Sequence, residues 1–212
     1  MKNITLLALD TSTEACSVAL WHKGEKTHLD ELAQRTHTKR ILPMVDELLA
    51  NSGINLKQVD ALAFGRGPGS FTGVRVGAGI AQGLAFGADL PVIAVSNLTA
   101  MAQAAFELHQ AENVAAAIDA RMNEVYVSQV KREKVLEQLS DLTAYRVGTG
   151  WAAYPQFKDS GLEGSDIILP SAQYMLELAL TDYAQNKIIS ALEIEPVYLR
   201  NEVTWKKLPG RE

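Results

Sequence analysis

Apolar residues fall along this chain in two rhythms. Short continuous or alternating runs at residues 4–9, 15–21, 61–64 and 92–95, each bounded by turn-forming residues, predict strands, and Lys23-Gly24-Glu25-Lys26 turns the second run into a third strand. Between them, apolar residues recur every three or four positions over residues 38–51, through the small-residue stretch after Gly73, and over residues 97–110, which predicts helices. Three strands followed by helix, strand, helix, strand, helix require a mixed sheet with helices packed over its faces. The second half is less regular. Residues 114–119, 124–131 and 145–149 predict strands, residues 151–157 a short irregular segment, and residues 171–185 a helix with Ser171, which follows Pro170, as its N-cap.

Two of these helices carry more packing surface than one sheet needs. After the loop Gly65-Arg66-Gly67-Pro68-Gly69-Ser70-Phe71-Thr72-Gly73, small residues line up in two i, i+4 ridges, Gly73-Gly77-Ala81-Ala85 and Gly79-Gly83-Gly87. An interior glycine costs roughly 0.8–1 kcal/mol relative to alanine, so such a helix needs close backbone packing in return. Either both ridges let the helix lie flat on its own sheet, or one ridge faces that sheet and the other a partner helix. In the helix over residues 38–51, Ile41, Val45 and Leu48 form one stripe, Leu42 and Leu49 another, and Met44 fills the gap, an arc wider than the usual core-facing stripe. Surplus surface on neighbouring helices fits a docked partner or a crowded internal core.

Asp10 and Asp119 close similar units of strand, aspartate, turn and strand, set apart by about half of the 212 residues, which suggests two related halves. We place a boundary near residue 110, giving an N-terminal lobe over 1–110 and a C-terminal lobe over 111–212, whose last segment packs back on the first lobe. At 47% hydrophobic and 21% charged the chain can bury a real core. A net charge of −5 argues against a protein that holds nucleic acid on its own. The single Cys16 excludes an internal disulfide and suits a reducing compartment. No apolar run reaches a signal-peptide or membrane-spanning length, so a cytoplasmic, soluble protein is expected.

Candidate chemistry gathers at the two aspartates. Asp10 with Thr11, Ser12 and Thr13 could hold a hydrated metal and a phosphate, with Gly67 and Gly69 supplying loop amides and Asp119 facing them across a cleft; the same residues are also ordinary turn chemistry. The 65–73 loop lacks the Gly-Lys-Ser/Thr ending of a Walker loop and the G-x-G-x-x-G spacing. His22, His28, His37 and His109 show no metal-binding spacing, and no Gly-x-Ser-x-Gly elbow is present. A nucleotide-binding phosphotransferase or ATPase of the sugar-kinase type and a peptidase-like protein are the enzyme readings. Against the first stands the glycine-free turn at Asp119; against the second, the lack of a nucleophile–base pair.

Several stretches together carry a family likeness: residues Leu9-Asp10-Thr11-Ser12-Thr13-Glu14, His37-Thr38-Lys39-Arg40-Ile41-Leu42-Pro43-Met44, the 65–73 loop, Ile118-Asp119-Ala120-Arg121, Val147-Gly148-Thr149-Gly150-Trp151 and Glu195-Pro196-Val197-Tyr198-Leu199-Arg200. The chain resembles the bacterial TsaB (YeaZ) family over nearly its whole length. The resemblance implies an α/β fold of the two-lobed actin-like ATPase superfamily, each lobe ribonuclease-H-like with a mixed five-stranded sheet and helices. It implies a non-catalytic scaffold that activates the related transferase TsaD in forming threonylcarbamoyladenosine in tRNA reading ANN codons, in a ternary complex with TsaD and the ATPase TsaE. TsaC is a further expected partner, tRNA is reached only indirectly, and the chain alone is a homodimer. No cofactor is required, with weak ATP or ADP binding expected alongside TsaD and TsaE. The histidines that bind metal in TsaD are replaced by Asn97 and Met101. Docking is expected through the two surplus helices, at Ile41, Met44, Val45, Leu48, Gly73, Val76, Gly77, Ile80, Ala81 and Leu84, so that Gly77→Leu would weaken binding without unfolding the chain. The region 131–142 is shorter than is usual for the family.

Overall fold

The computed structural model describes residues 4–33, 35–121, 124–131, 134–136, 144–159 and 164–196. The first sheet is built from β1 (Leu6–Asp10), β2 (Ala15–His22), β3 (Glu25–Leu32), β4 (Ala61–Gly65) and β5 (Val92–Val95), in the order β3-β2-β1-β4-β5. β1 pairs antiparallel with β2 and parallel with β4, and β4 runs parallel to β5, as in a ribonuclease-H-like sheet. Strand alternation divides its side chains between two faces. Leu7, Leu9, Leu62 and Phe64 point to the face covered by α1 (His37–Asn51) and α2 (Phe71–Ala88). Leu6, Ala8, Ala61 and Ala63 point to the other, where small side chains let α6 (Ala172–Ala184) pack against the strands. Ser171 caps α6 as its sequence predicts, its hydroxyl accepting from the Gln173 N–H.

The second sheet uses β6 (Asn113–Arg121), β7 (Glu124–Lys131), β8 (Lys134–Leu136) and β9 (Tyr145–Val147), in the order β8-β7-β6-β9. β6 pairs antiparallel with β7 and parallel with β9, which repeats the pattern of β1 with β2 and β4. Where five strands are expected, this sheet has four among the described residues. Alongside β9 runs the segment around Ser165: its N–H donates to Arg146 O at 2.8 Å, and Gly148 N–H donates to Ile167 O at 2.7 Å. A regular parallel ladder returns both bonds to one residue. Here they reach residues two apart, so the segment occupies the fifth position without being a strand. β9 stops at Val147 because Gly148 turns left-handed, at φ +101°.

α3 (Asn97–His109) belongs to both halves. Ala100 packs with the first sheet, while Leu98, Met101, Ala102, Ala105 and Phe106 pack with Val114, Ala116 and Ile118 of β6. The segment expected at residues 151–157 forms two short helices, α4 (Gly150–Ala153) and α5 (Pro155–Asp159). Most of the region 131–142, and the residues from Val197 onward in the last family motif, lie outside the described residues.

Candidate functional site

β1 delivers Asp10 as its last residue, at the point where the chain turns and the 65–73 loop closes over it. The side chain is 1% exposed. Its Oδ1 accepts from Asn97 Nδ2 at 2.7 Å, and its Oδ2 accepts from the Ser12 hydroxyl at 3.0 Å and from Ser12 N–H at 3.3 Å. Asn97, the first residue of α3, also places Nδ2 2.7 Å from Ser12 Oγ. Its Oδ1 accepts from Gly67 N–H at 2.7 Å, and its own N–H donates to Gly67 O at 3.0 Å. Two further bonds fix the loop: Ser70 N–H to Ser12 O at 2.6 Å, and the Thr11 hydroxyl to Gly73 O at 2.7 Å.

This closeness explains the glycines of the loop. A Cβ at Gly65 would collide with Asp10 Oδ1, one at Gly69 with Ser12 O, and one at Gly73 with Thr11 O. They let the loop press against the Asp10 side chain and the backbone of Thr11 and Ser12, where the sequence alone also allowed a phosphate cradle. Burial pushes the Asp10 carboxyl up to about 6 despite the donors from Asn97 and Ser12, which pull it down. Burial likewise drives the Cys16 thiol up to about 12, with the charges of Asp10 and Glu31 adding to the effect, so the thiol is a packed apolar group.

Asp10, Thr11, Ser12, Gly67 and Gly69 therefore come together, but as a closed network in which the aspartate's oxygens are already engaged. The carboxylate that the sequence offered as a metal-water ligand is 1% exposed, and both of its oxygens already accept hydrogen bonds from Asn97 and Ser12. Thr13 is buried at the edge, with Ala15 N–H donating to its hydroxyl at 3.3 Å. Asp119 bonds within the second half: the Tyr154 hydroxyl donates to it at 2.8 Å, Arg121 N–H at 2.8 Å, and the Arg121 guanidinium lies 3.0 Å away. Among the described residues no three His, Cys, Asp or Glu side chains are grouped to hold a metal. No helix among them is long and apolar enough to cross a membrane.

The two surplus helices divide their residues sharply. Ile41, Met44, Val45 and Leu48 of α1 are buried in the chain's own core with α2, which corrects their placement on a docking surface. Gly73, Gly77 and Ala81 also face inward, whereas Val76, Ile80 and Leu84 are half-buried at the margin. The second ridge is different: a Cβ at Gly79, Gly83 or Gly87 would meet nothing within 4 Å. Phe86, on the same side, is 71% exposed. One ridge thus lies on Thr11 and the sheet, and the other is open. Gly77→Leu is consequently a stability variant, since its Cβ would sit 2.9 Å from Thr11 Oγ1. We expect a loss of about 2 kcal/mol or more in urea denaturation, as for an overpacked core.

Asn97 is the residue that sequence reasoning undervalued. Its signal was slight: a polar residue at the start of a helix, directly after a buried strand. Four residues on, Met101 is fully buried against the second sheet. A carboxamide and a thioether committed in this way do not make the donor set of a hard or borderline metal.

The profile of the TsaD family, described as tRNA N6-adenosine threonylcarbamoyltransferase, matches residues 28–178. The tRNA threonylcarbamoyladenosine biosynthesis protein TsaB of Haemophilus influenzae is 72% identical over an alignment of 236 residues that covers all of both chains. The chain belongs to the TsaB family. Escherichia coli TsaB is 49% identical over 98% of this chain and 99% of its own. Among solved structures, a Pseudomonas aeruginosa protein described as similar to peptidase YeaZ superposes with a TM-score of 0.85 at 43% identity, covering 93% of this chain and all of that one. A second, Pseudomonas aeruginosa YeaZ, gives 0.81 at 42%, covering 92% of this chain and all of that one.

Proposed function

We propose that this chain serves the biosynthesis of threonylcarbamoyladenosine in tRNA, the process for which its TsaB relatives are named, as a non-catalytic partner that activates TsaD. The observation that carries this reading is the sealed aspartate: both oxygens of Asp10 are occupied by Ser12 and Asn97. A phosphotransferase needs that position open to a metal and phosphate. The open glycine ridge of α2 supports docking, because small residues let a partner helix approach closely. TsaD is the expected partner there, with TsaE completing a ternary complex and a second copy of the chain taking the place of TsaD when it is absent. The chain requires no cofactor of its own; ATP or ADP acts with TsaD and TsaE.

Reconstitution tests this. Unmodified tRNA, threonylcarbamoyl-adenylate, ATP, TsaD and TsaE are combined with and without the chain, and the chain is tested alone. Modified tRNA is expected only when the chain joins TsaD. Equal product without it, or turnover by the chain alone, overturns the reading.

A further inference from the structure

Asn97 is a costly residue to keep where it stands. It is fully buried, and it faces a buried carboxylate instead of an apolar neighbour. Polar groups in such places are tolerated when every member is bonded, and setting a register is their best-attested use. The two ends of this carboxamide reach different elements. Nδ2 holds Asp10 and Ser12 at the end of β1, while Oδ1 and the backbone N–H hold both polar atoms of Gly67. The loop held this way has glycine at residues 65, 67, 69 and 73, hence few side chains to fix it, and it leads straight into α2. Beyond Asn97, α3 is embedded in the core of the second sheet. One side chain therefore ties β1, the approach to α2 and the helix shared by both halves.

We propose that Asn97 is a positioning residue for partner docking: by clamping the 65–73 loop it sets the angle at which α2 presents Gly79, Gly83 and Gly87. The proposal rests on the partner reading above. Asn97→Ala should raise amide hydrogen exchange over residues 67–74 about tenfold or more and leave α1 unchanged, because only the local anchorage is lost. It should weaken TsaD binding about tenfold in calorimetry, at a temperature where circular dichroism shows the variant fully folded, because a looser α2 is less preorganised. A purely structural role lowers the unfolding midpoint without moving the affinity of folded molecules.

The exchanged pair Asp10→Asn/Asn97→Asp provides the rescue. Its amide at position 10 donates to the carboxylate at position 97 and accepts from Ser12, while that carboxylate still accepts from Gly67 N–H, so loop protection and affinity should return towards wild type. If Asn97→Ala does not fold, Asn97→Ser, too short to span Gly67 and Asp10, carries the same expectations. Wild-type affinity in a folded Asn97 variant overturns the positioning role, as does an exchanged pair that binds no better than Asn97→Ala. A wild-type chain that does not bind TsaD overturns the partner reading, and the positioning role with it.

Discussion

Gly83→Leu should make the isolated chain more stable and cost it its partner. Gly83 lies inside an 18-residue helix, and a Cβ there would meet nothing within 4 Å. Glycine in a helix interior is about 0.8 kcal/mol worse than leucine, so the substitution should raise unfolding stability by up to about that amount, a rise readable in urea denaturation. In the complex proposed above, the same position is where a partner helix would come closest. A leucine would hold the two helices apart along the ridge formed with Gly79 and Gly87, and we expect TsaD affinity in calorimetry to fall about a hundredfold, roughly 2.7 kcal/mol. Opposite movements of stability and binding are the signature, because a variant that merely damaged the fold would lower both. Unchanged affinity in the stabilised variant would remove α2 from the docking surface.

The contrast between Gly83 and Gly77 also shows how far the sequence could be read. The two ridges were legible, because i, i+4 spacing puts Gly73, Gly77 and Ala81 on one side and Gly79, Gly83 and Gly87 on the other. Which ridge faces inward depends on the Thr11 hydroxyl reaching Gly73 O, a contact between residues 62 positions apart that no local pattern records. The first sheet followed from its apolar runs and their order. The second sheet was harder to read because its fifth position is filled by a non-strand segment at Ser165–Ile167, which has little apolar alternation to detect. At the candidate site, the sequence supplied the residues and left their chemistry open. Asp10, Ser12 and the glycine loop could be read as a phosphate cradle or as ordinary turn chemistry, and Asn97, 87 residues from Asp10, ties them into the closed network.

That network should also be visible in the pH dependence of folding. An aspartate at its ordinary value of 3.8 in the unfolded chain and near 6 in the folded one binds protons more tightly when folded. Its favourable contribution is therefore fully present below about pH 4 and is lost as pH rises through about 6. The whole shift is worth roughly 3 kcal/mol, and the part between pH 4.5 and pH 7.5 about 2 kcal/mol. Glu31, held down by Arg40, and Glu193, held down by Ser190, act in the opposite sense, losing stabilisation as pH falls, so the wild-type curve alone mixes the effects. Asp10→Asn separates them. Its amide can keep a carbonyl towards Asn97 and turn its NH2 to the Ser12 hydroxyl, which leaves Ser12 N–H short of an acceptor, so its stability at any single pH combines a gain and a loss. The difference between variant and wild type, measured by urea denaturation at both pH values, cancels everything that does not titrate with Asp10. That difference should shift in favour of the variant by about 2 kcal/mol on going from pH 4.5 to pH 7.5. Parallel curves would mean that the carboxylate titrates as it does in water, and the sealed site would have to be redrawn as an open one.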